Sequence, residues 1–312
     1  MEQSKTTSEL FNALGIFKED WHVPQQWSNQ DNFIVFHRTN LDGAKEVVYK
    51  LTNSNDDIRT FKNSDTDIVY KFNSQGFRTD KFDVLNYSNI NVLVAGCSNT
   101  FGQEMPNELV WPSILKSNIE NDYSSVQLYN LGVSGLDTQR IIRNCYKFIE
   151  NYGKPEYIFL LLPPIQRVIY LDKKSKHFNT MQDPVYSRQI TDMTKVFFKN
   201  KSSLPGNIAS NILTIKNFES FCSTNNIMLS WFCWERVSQS IYEELNFKGL
   251  ISESNFADKM QLIMSTIDKD EQESNKYWHF TADNDHPGSK FHLTWSSLFF
   301  DKFKEHYDNF RN

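Results

Sequence analysis

Residues 91–102 read NVLVAGCSNTFG, and this stretch decides the fold. Its first half is an apolar run rich in valine, and its second half is a turn of small residues that carries the hydroxyl of Ser98. A continuous apolar run is typical of a strand in a parallel sheet that is covered on both faces. Open α/β sheets place functional side chains just beyond the carboxyl ends of such strands. Ser98 is therefore the first candidate nucleophile.

From residue 89 onward, strand-like and helix-like segments alternate along the chain. This alternation predicts an α/β fold, a three-layer α/β/α sandwich around a central parallel sheet. The other predicted strands are 126–130, 157–162 and 227–234. The predicted helices are 106–120, 137–151, 207–224, 238–246, 255–267 and 289–307. Residues 165–205 are polar and irregular, and we interpret them as an insertion that is either a functional lid or a disordered segment.

Residues 1–88 contain strand-like runs without this alternation, which predicts a β-rich N-terminal extension packed against an α/β domain of residues 89–312. A short amphipathic helix is expected at 6–17. Strands are expected at 33–39, 46–52 and 67–73, the first two joined by the hairpin signal NLDG at 40–43. In NSQGFR at 73–78, Gly76 is expected to take a positive φ.

Composition narrows the classes of partner. The chain has 312 residues, of which 39% are hydrophobic and 23% charged, as in ordinary globular proteins. Its formal net charge of -5 and its lack of a long basic block speak against a nucleic-acid partner and an anionic membrane surface. No apolar run is long enough to span a membrane, and the N-terminus lacks the pattern of a signal peptide.

The four cysteines are Cys97, Cys145, Cys222 and Cys233. They form no CxxC pair and no cluster with zinc spacing, so neither a structural metal nor a disulfide framework is predicted. Together with the N-terminus, this indicates a soluble protein kept in a reducing compartment such as the cytoplasm.

A possible base and acid occur near the far end of the chain, in DNDHPG at 283–288. A serine becomes a strong nucleophile when a histidine takes its proton and a carboxylate orients that histidine. Asp283, three residues before His286, can place its carboxylate against Nδ1 of the ring, and Pro287 restricts His286 to an extended backbone. Asp285 is a rival orienting acid. A pair of this spacing also occurs in many chains simply as a helix cap.

Three sequence blocks together resemble the SGNH (GDSL-type) hydrolase family. They are GCSNTFG at 96–102, NLGVSGLDT at 130–138 and DNDHPG at 283–288, in the family's order. NSQGFRTDKF at 73–82 and TFGQEMPNELVWPSIL at 100–115 look like segments of its bacterial and phage members. The resemblance covers about residues 70–165 and 277–306. It implies a flavodoxin-like SGNH hydrolase fold and a serine esterase that needs no cofactor.

The resemblance also implies a role for individual residues. Ser98 matches the nucleophile, His286 the base and Asp283 the acid. Gly135 matches the glycine of the second block, which gives a backbone N–H to the oxyanion hole. The N–H of Ser98 would be a second donor.

The chain departs from the family pattern at two places. Cys97 stands in the first block where the family usually has an aspartate, and we expect Cys97 to be a buried thiol rather than a nucleophile. The third block should supply an asparagine as a further oxyanion donor, but residues 162–167 read LPPIQR. Gln166 could replace that amide, and Arg167 could instead bind an anionic group. Each is equally well explained as an ordinary loop residue.

Other reactive or aromatic side chains are given structural interpretations. His292 is expected to face solvent or to pack against the loop. Glu104 and Glu108 are interpreted as acidic residues of the first turn of a helix, where the helix dipole favours them. Trp231 and Trp234 are interpreted as core residues rather than as a platform for a sugar.

Two functions of different classes follow. The first is a serine esterase that hydrolyses or transfers a small O-acyl group, with acetyl on a carbohydrate as the substrate that the resemblance implies. The alternative is a catalytically degenerate protein that binds glycan or serves as a structural component, for example of a virion. Reach of His286 to both Ser98 and Asp283 is expected in the enzyme only.

Overall fold

The computed structural model describes residues 21, 32–40, 43–64, 66–123, 125–171, 178–181 and 204–311. The helix predicted at 6–17 and most of the stretch 165–205 lie outside the described residues.

An antiparallel sheet forms the described part of the N-terminal region. Its strands are β1 (Phe33–Asn40), β2 (Gly43–Ser54), β3 (Ile58–Lys62) and β4 (Val69–Asn73), in the order β1-β2-β3-β4. The three strands predicted here are confirmed within a few residues. Strand β3 was not predicted, because its buried face carries Arg59 beside Phe61 and the charge conceals the alternation.

The central sheet is parallel throughout. It consists of β5 (Ile90–Gly96), β6 (Val126–Asn130), β7 (Tyr157–Leu162) and β10 (Met228–Cys233), in the order β10-β7-β5-β6. These strands confirm the four predicted ones. A hairpin of β8 (Val168–Leu171) and β9 (Phe178–Met181) lies inside the predicted insertion. It was not predicted, since four-residue strands do not stand out against polar surroundings.

Helices cover both faces of the central sheet. They are α1 (Ser98–Phe101), α2 (Trp111–Asp122), α3 (Thr138–Tyr152), α4 (Leu204–Thr224), α5 (Arg236–Glu243), α6 (Glu253–Thr266), α7 (Lys269–Ser274) and α8 (Ser289–Arg311). Buried side chains of α2 and α8 pack on one face of the sheet, and those of α3, α4 and α5 pack on the other. The three-layer α/β/α sandwich is therefore confirmed.

Two helix boundaries differ from the prediction by more than three residues. Helix α2 begins at Trp111 rather than at residue 106, and a 3₁₀ turn, Asn107–Leu109, precedes it. A helix begun at residue 106 would place Pro112 in its interior, where the ring clashes with the preceding turn. In the observed helix, Pro112 lies in the first turn, where it is tolerated. Helix α8 continues to Arg311, past the predicted end at 307.

The N-terminal sheet and the central sheet share one hydrophobic core. Phe101 of α1 lies against three rings of the N-terminal sheet, with centroid distances of 6.2 Å to Phe36, 5.5 Å to Tyr70 and 6.0 Å to Phe72. The division into 1–88 and 89–312 remains a prediction about chain organisation. In space, the two parts pack against each other at Phe101, in the helix that begins with Ser98.

Candidate active site

Ser98 lies immediately beyond the carboxyl end of β5 and is the first residue of α1. Gly96 allows this sharp turn, since a Cβ there would lie 2.6 Å from the carbonyl oxygen of Leu161. Gly102 ends α1 with a φ of 75°, in the left-handed region that favours glycine. Ser98 is 8% exposed. The residue is thus held at the edge of the sheet and is largely buried.

Asp283 and His286 form a hydrogen-bonded pair on the loop before α8. Oδ2 of Asp283 lies 2.7 Å from Nδ1 of His286. Oδ1 of the same carboxylate accepts from the Thr281 hydroxyl at 2.6 Å. It also accepts from the backbone N–H groups of Asp285 and His286, at 2.9 and 3.1 Å. This many donors fix the carboxylate, and the carboxylate fixes the imidazole with Nε2 turned away from it.

The charge of Asp283 suits an orienting acid. Burial alone would raise the pKa of Asp283, but its hydrogen bonds with His286 and Thr281 and the charge of the imidazole lower that pKa to about 2. The carboxylate is therefore an anion at neutral pH. An anion at Nδ1 selects the tautomer in which Nε2 can accept a proton. Asp285 is exposed and, in the described hydrogen bonds, gives only its backbone N–H.

The Asp283–His286 loop lies against the segment that follows Ser98. The N–H of Ala282 donates to the carbonyl of Glu104 at 3.0 Å. The Ser98 hydroxyl lies 4.0 Å from the sulfur of Cys97. Among the described residues, no hydrogen bond joins this hydroxyl to the His286 ring, and such catalytic hydrogen bonds often tighten only when substrate binds. The structure thus brings Asp283 to His286, and the role of Ser98 stays a prediction.

The loop between β6 and α3 packs on α1. A Cβ on Gly132 would lie 2.5 Å from the backbone nitrogen of Phe101. Gly135 has a φ of +79° and nothing within 4 Å of an added Cβ, so it borders open space. Beside it, the Ser134 hydroxyl donates to the side-chain oxygen of Gln103. This packing holds Gly135 on a loop attached to α1, and its role as an oxyanion donor stays a prediction.

Gln166 is buried just beyond β7, and its Oε1 lies 3.3 Å from the Ser238 hydroxyl. Ser238 is itself fixed, because its Oγ accepts from the N–H of Ile165 at 2.9 Å and lies 2.6 Å from the Glu235 carboxylate. Ser238 therefore orients one end of the Gln166 amide. Whether the other end serves as an oxyanion donor stays a prediction.

Arg167 bonds the protein backbone. Its Nη1 donates to the carbonyl of Leu136 at 3.1 Å. Leu136 follows Gly135 directly, so Arg167 ties the end of β7 to the loop between β6 and α3.

The cysteines and tryptophans near the site are structural, as predicted. All four cysteines are free and buried. Cys97 accepts from the indole N–H of Trp234 at 3.3 Å. Trp231 is fully buried, and its indole N–H donates to Glu219 at 3.0 Å.

The prediction for Glu104 is wrong. Glu104 is fully buried and has a φ of 56°, outside any helix, because α2 begins only at Trp111. Glu108 does lie in a first turn, that of the 3₁₀ segment Asn107–Leu109.

His292 is buried on α8 and does not face solvent, so the packing alternative is correct. Its Nδ1 accepts from the backbone N–H of Trp111 at 3.2 Å, and the ring also bonds the backbone of Pro287. Burial, together with the charge of His286, lowers the pKa of His292 to about 3. A neutral His292 thus supports the residue that follows His286.

Two residues behind the nucleophile turn were missed by sequence reasoning. Arg78 and Tyr70 are buried against the segment that follows Ser98. The signal was in NSQGFR at 73–78, which was interpreted only as a turn and as a family-like segment. The contact of Arg78 with residues more than twenty positions away has no local pattern.

Among the described residues, no group of three or more His, Cys, Asp or Glu side chains is placed to hold a metal ion. None of the described helices has the length and apolar character needed to cross a membrane. A groove of about 1060 Å³ lies between β3, β4 and α2, but neither Ser98 nor His286 lines it.

Comparison with known proteins gives the following likenesses. The esterase EstA from Pseudoalteromonas sp. is 14% identical, with 70% of this chain and 100% of that chain covered and a TM-score of 0.41. TesA is 10% identical, with 69% and 98% covered and a TM-score of 0.40. A member of the lipolytic protein G-D-S-L family from Veillonella parvula DSM 2008 is 14% identical, with 69% and 98% covered and a TM-score of 0.36.

No protein-family model matches the sequence, and no curated protein matches it.

Proposed function

We propose that the chain is a serine ester hydrolase in which Ser98 is the nucleophile, His286 the general base and Asp283 the orienting acid. The observation that carries this proposal is the Asp283–His286 pair, 2.7 Å apart, with an anionic carboxylate held by three further donors. Such an arrangement prepares an imidazole to take a proton at Nε2. Its loop is hydrogen-bonded to the segment that follows the Ser98 turn.

The reaction proceeds through an acyl-enzyme. Oγ of Ser98 attacks the ester carbonyl while Nε2 of His286 takes the hydroxyl proton. The backbone N–H groups of Ser98 and Gly135 stabilise the resulting oxyanion, with Gln166 as a further donor. His286 then returns the proton to the leaving alcohol. Water then attacks the acyl-enzyme while His286 takes its proton, and this step releases the carboxylic acid and frees Ser98. Alternatively, a second alcohol accepts the acyl group.

The substrate we propose is a small O-acyl group, in particular acetyl on a carbohydrate. Ser98 is only 8% exposed, and a short acyl chain needs less open space beside it than a long one. The carbohydrate follows from the family that the three sequence blocks resemble.

The second candidate is a degenerate protein that binds glycan or has a structural role, for example in a virion. Two observations favour it: Gln166 stands in the block where an asparagine donor is expected, and the described hydrogen bonds of Ser98 do not include His286. Losing one oxyanion donor costs about 10²–10³ in rate in other enzymes.

Labelling with a fluorophosphonate probe tests the proposal. We expect the native chain to be labelled and the folded variants Ser98→Ala and His286→Ala to be unlabelled. Acetate release from p-nitrophenyl acetate and from O-acetylated xylan, with p-nitrophenyl octanoate for comparison, then tests the acyl length. A folded native chain that stays unlabelled would contradict the esterase proposal and favour the second candidate.

A further inference from the structure

Arg78 is a buried cation directly behind the nucleophile turn, with only 4% of its surface exposed. Its Nη1 donates to the carbonyls of Phe101 and Gly102, at 3.2 and 2.6 Å. Its Nη2 donates to the carbonyls of Met105 and Val69, at 2.9 and 3.3 Å. One guanidinium therefore holds three carbonyls of segment 101–105 and one carbonyl of β4.

Glu104 lies inside this segment and connects it to the Asp283–His286 loop. Its backbone N–H donates to the Tyr70 hydroxyl at 2.7 Å, and its carbonyl accepts from the N–H of Ala282 at 3.0 Å. The φ of 56° is unfavourable for a residue with a Cβ, so the surrounding contacts must maintain it. Arg78 lies over the Tyr70 ring, 4.5 Å from its centroid, and so supports the same phenol.

We propose that Arg78 is a positioning residue that fixes segment 101–105 and thereby sets the geometry between Ser98 and His286. The inference rests on the proposed esterase function. Arg78 holds the end of the turn that carries Ser98. Through Glu104 and Ala282, the same segment holds the loop of His286. A residue that follows the N-terminal sheet thus joins the two halves of the site.

The chemistry of the side chain explains why an arginine stands there. Arginine presents five N–H donors in a rigid plane, whereas lysine presents one ammonium group on a flexible stem. Four carbonyls around one site match the planar group, and a lysine would leave some of them without a donor. A misplacement of about 1 Å in a catalytic site can cost about 10²-fold in rate.

The test compares Arg78→Lys with the matched control Arg59→Lys. Arg59 lies in β3 of the N-terminal sheet, is 5% exposed and donates to the carbonyl of Asn73 at 2.9 Å. For ester hydrolysis, we expect Arg78→Lys to lower kcat by about 10–100-fold, with KM within about threefold of native. Arg59→Lys should keep kcat within about twofold, even if its Tm falls.

Amide hydrogen exchange gives a second measurement that needs no activity. We expect peptides that cover 101–105 and 281–286 to exchange faster in Arg78→Lys, and to be unchanged in Arg59→Lys. A native chain that hydrolyses no ester would contradict the proposed function, while the exchange result would still decide whether Arg78 holds the two segments.

The inference is overturned if Arg78→Lys keeps kcat within twofold of native, if Arg59→Lys lowers kcat equally, or if exchange at 281–286 is unchanged. Should Arg78→Lys fail to fold, Tyr70→Phe provides the alternative, because it removes the hydroxyl that accepts from Glu104. Its expected effects are faster exchange at 101–105 and a kcat about 3–10-fold lower. A Tyr70→Phe variant equal to native in both measurements would also overturn the inference.

Discussion

At the scale of single residues, the Asp283–His286 pair is a product of local sequence. Asn284, between the two, has a φ of 55°, a conformation that asparagine tolerates better than most residues. This turn directs the N–H groups of Asp285 and His286 to one carboxylate oxygen and leaves the other for the imidazole. A short polar turn therefore orients the imidazole against its carboxylate through contacts among neighbouring residues.

The role of Asp283 leads to a prediction with a neighbouring control. Asp283→Asn should lower kcat for ester hydrolysis by about 10³–10⁴-fold, because an amide cannot select the required imidazole tautomer. Asp285→Asn should stay within about twofold of native, since Asp285 is exposed and contributes its backbone N–H. Steady-state kinetics on p-nitrophenyl acetate measures both. Equal losses in the two variants would show that Asp283 has no special role.

His292 makes a prediction about stability and pH. Its folded pKa of about 3 lies below the ordinary value of about 6.5 in an unfolded chain. Below pH 6.5 the unfolded chain binds a proton that the folded protein does not. Above about pH 6.5, His292 therefore does not lower the free energy of unfolding. Below that pH, the free energy of unfolding falls as the pH drops toward 3, by about 1.4 kcal/mol per unit.

Urea unfolding between pH 4 and 7.5 checks this dependence. In His292→Asn, the amide oxygen can still accept from the N–H of Trp111 but does not titrate. We expect the slope of unfolding free energy against pH between 6 and 4 to be smaller in the variant by about 1.4 kcal/mol per unit. Identical slopes in the variant and the native chain would mean that His292 is not held neutral.

At the scale of elements, the strands of the central sheet were predictable and some boundaries were not. The runs that form β5 and β7 are almost wholly apolar, so burial on both faces is evident from the residues. Strand β3 was missed because Arg59 occupies its buried face, where it bonds the carbonyl of Asn73. The start of α2 was misplaced because local propensity allows a helix from residue 106, whereas Pro112 forbids it.

The same distinction applies to the candidate site. Asp283 and His286 were predicted because they are three residues apart and bond within one turn. Arg78 and Tyr70 were not predicted, because their partners in segment 101–105 lie 23 to 34 positions away and only the folded chain brings them together. The local sequence was therefore enough to predict the Asp283–His286 pair, whereas the contacts of Arg78 and Tyr70 are visible only in the structure.

At the scale of the whole molecule, the aromatic contacts between the N-terminal sheet and α1 make the two parts interdependent. Phe36 of β1 packs on Tyr70, 5.0 Å between centroids, and on Phe101 of α1, at 6.2 Å. Phe101 lies in the same short helix as Ser98. We therefore expect the two sheets to unfold in one transition rather than in two.

Phe36→Ala tests this expectation. Deleting a buried phenylalanine costs about 3–5 kcal/mol, so Tm should fall clearly. Five of the seven tryptophans lie after residue 89, so tryptophan fluorescence reports mainly on the rest of the molecule, while far-ultraviolet circular dichroism also includes the N-terminal sheet. With a shared core, both signals should shift to the same lower Tm, because loss of Phe36 weakens the packing around α1. An unchanged fluorescence midpoint beside a lowered dichroism midpoint would mean that the N-terminal sheet unfolds alone. Arg78 could then not depend on that sheet to hold the turn of Ser98.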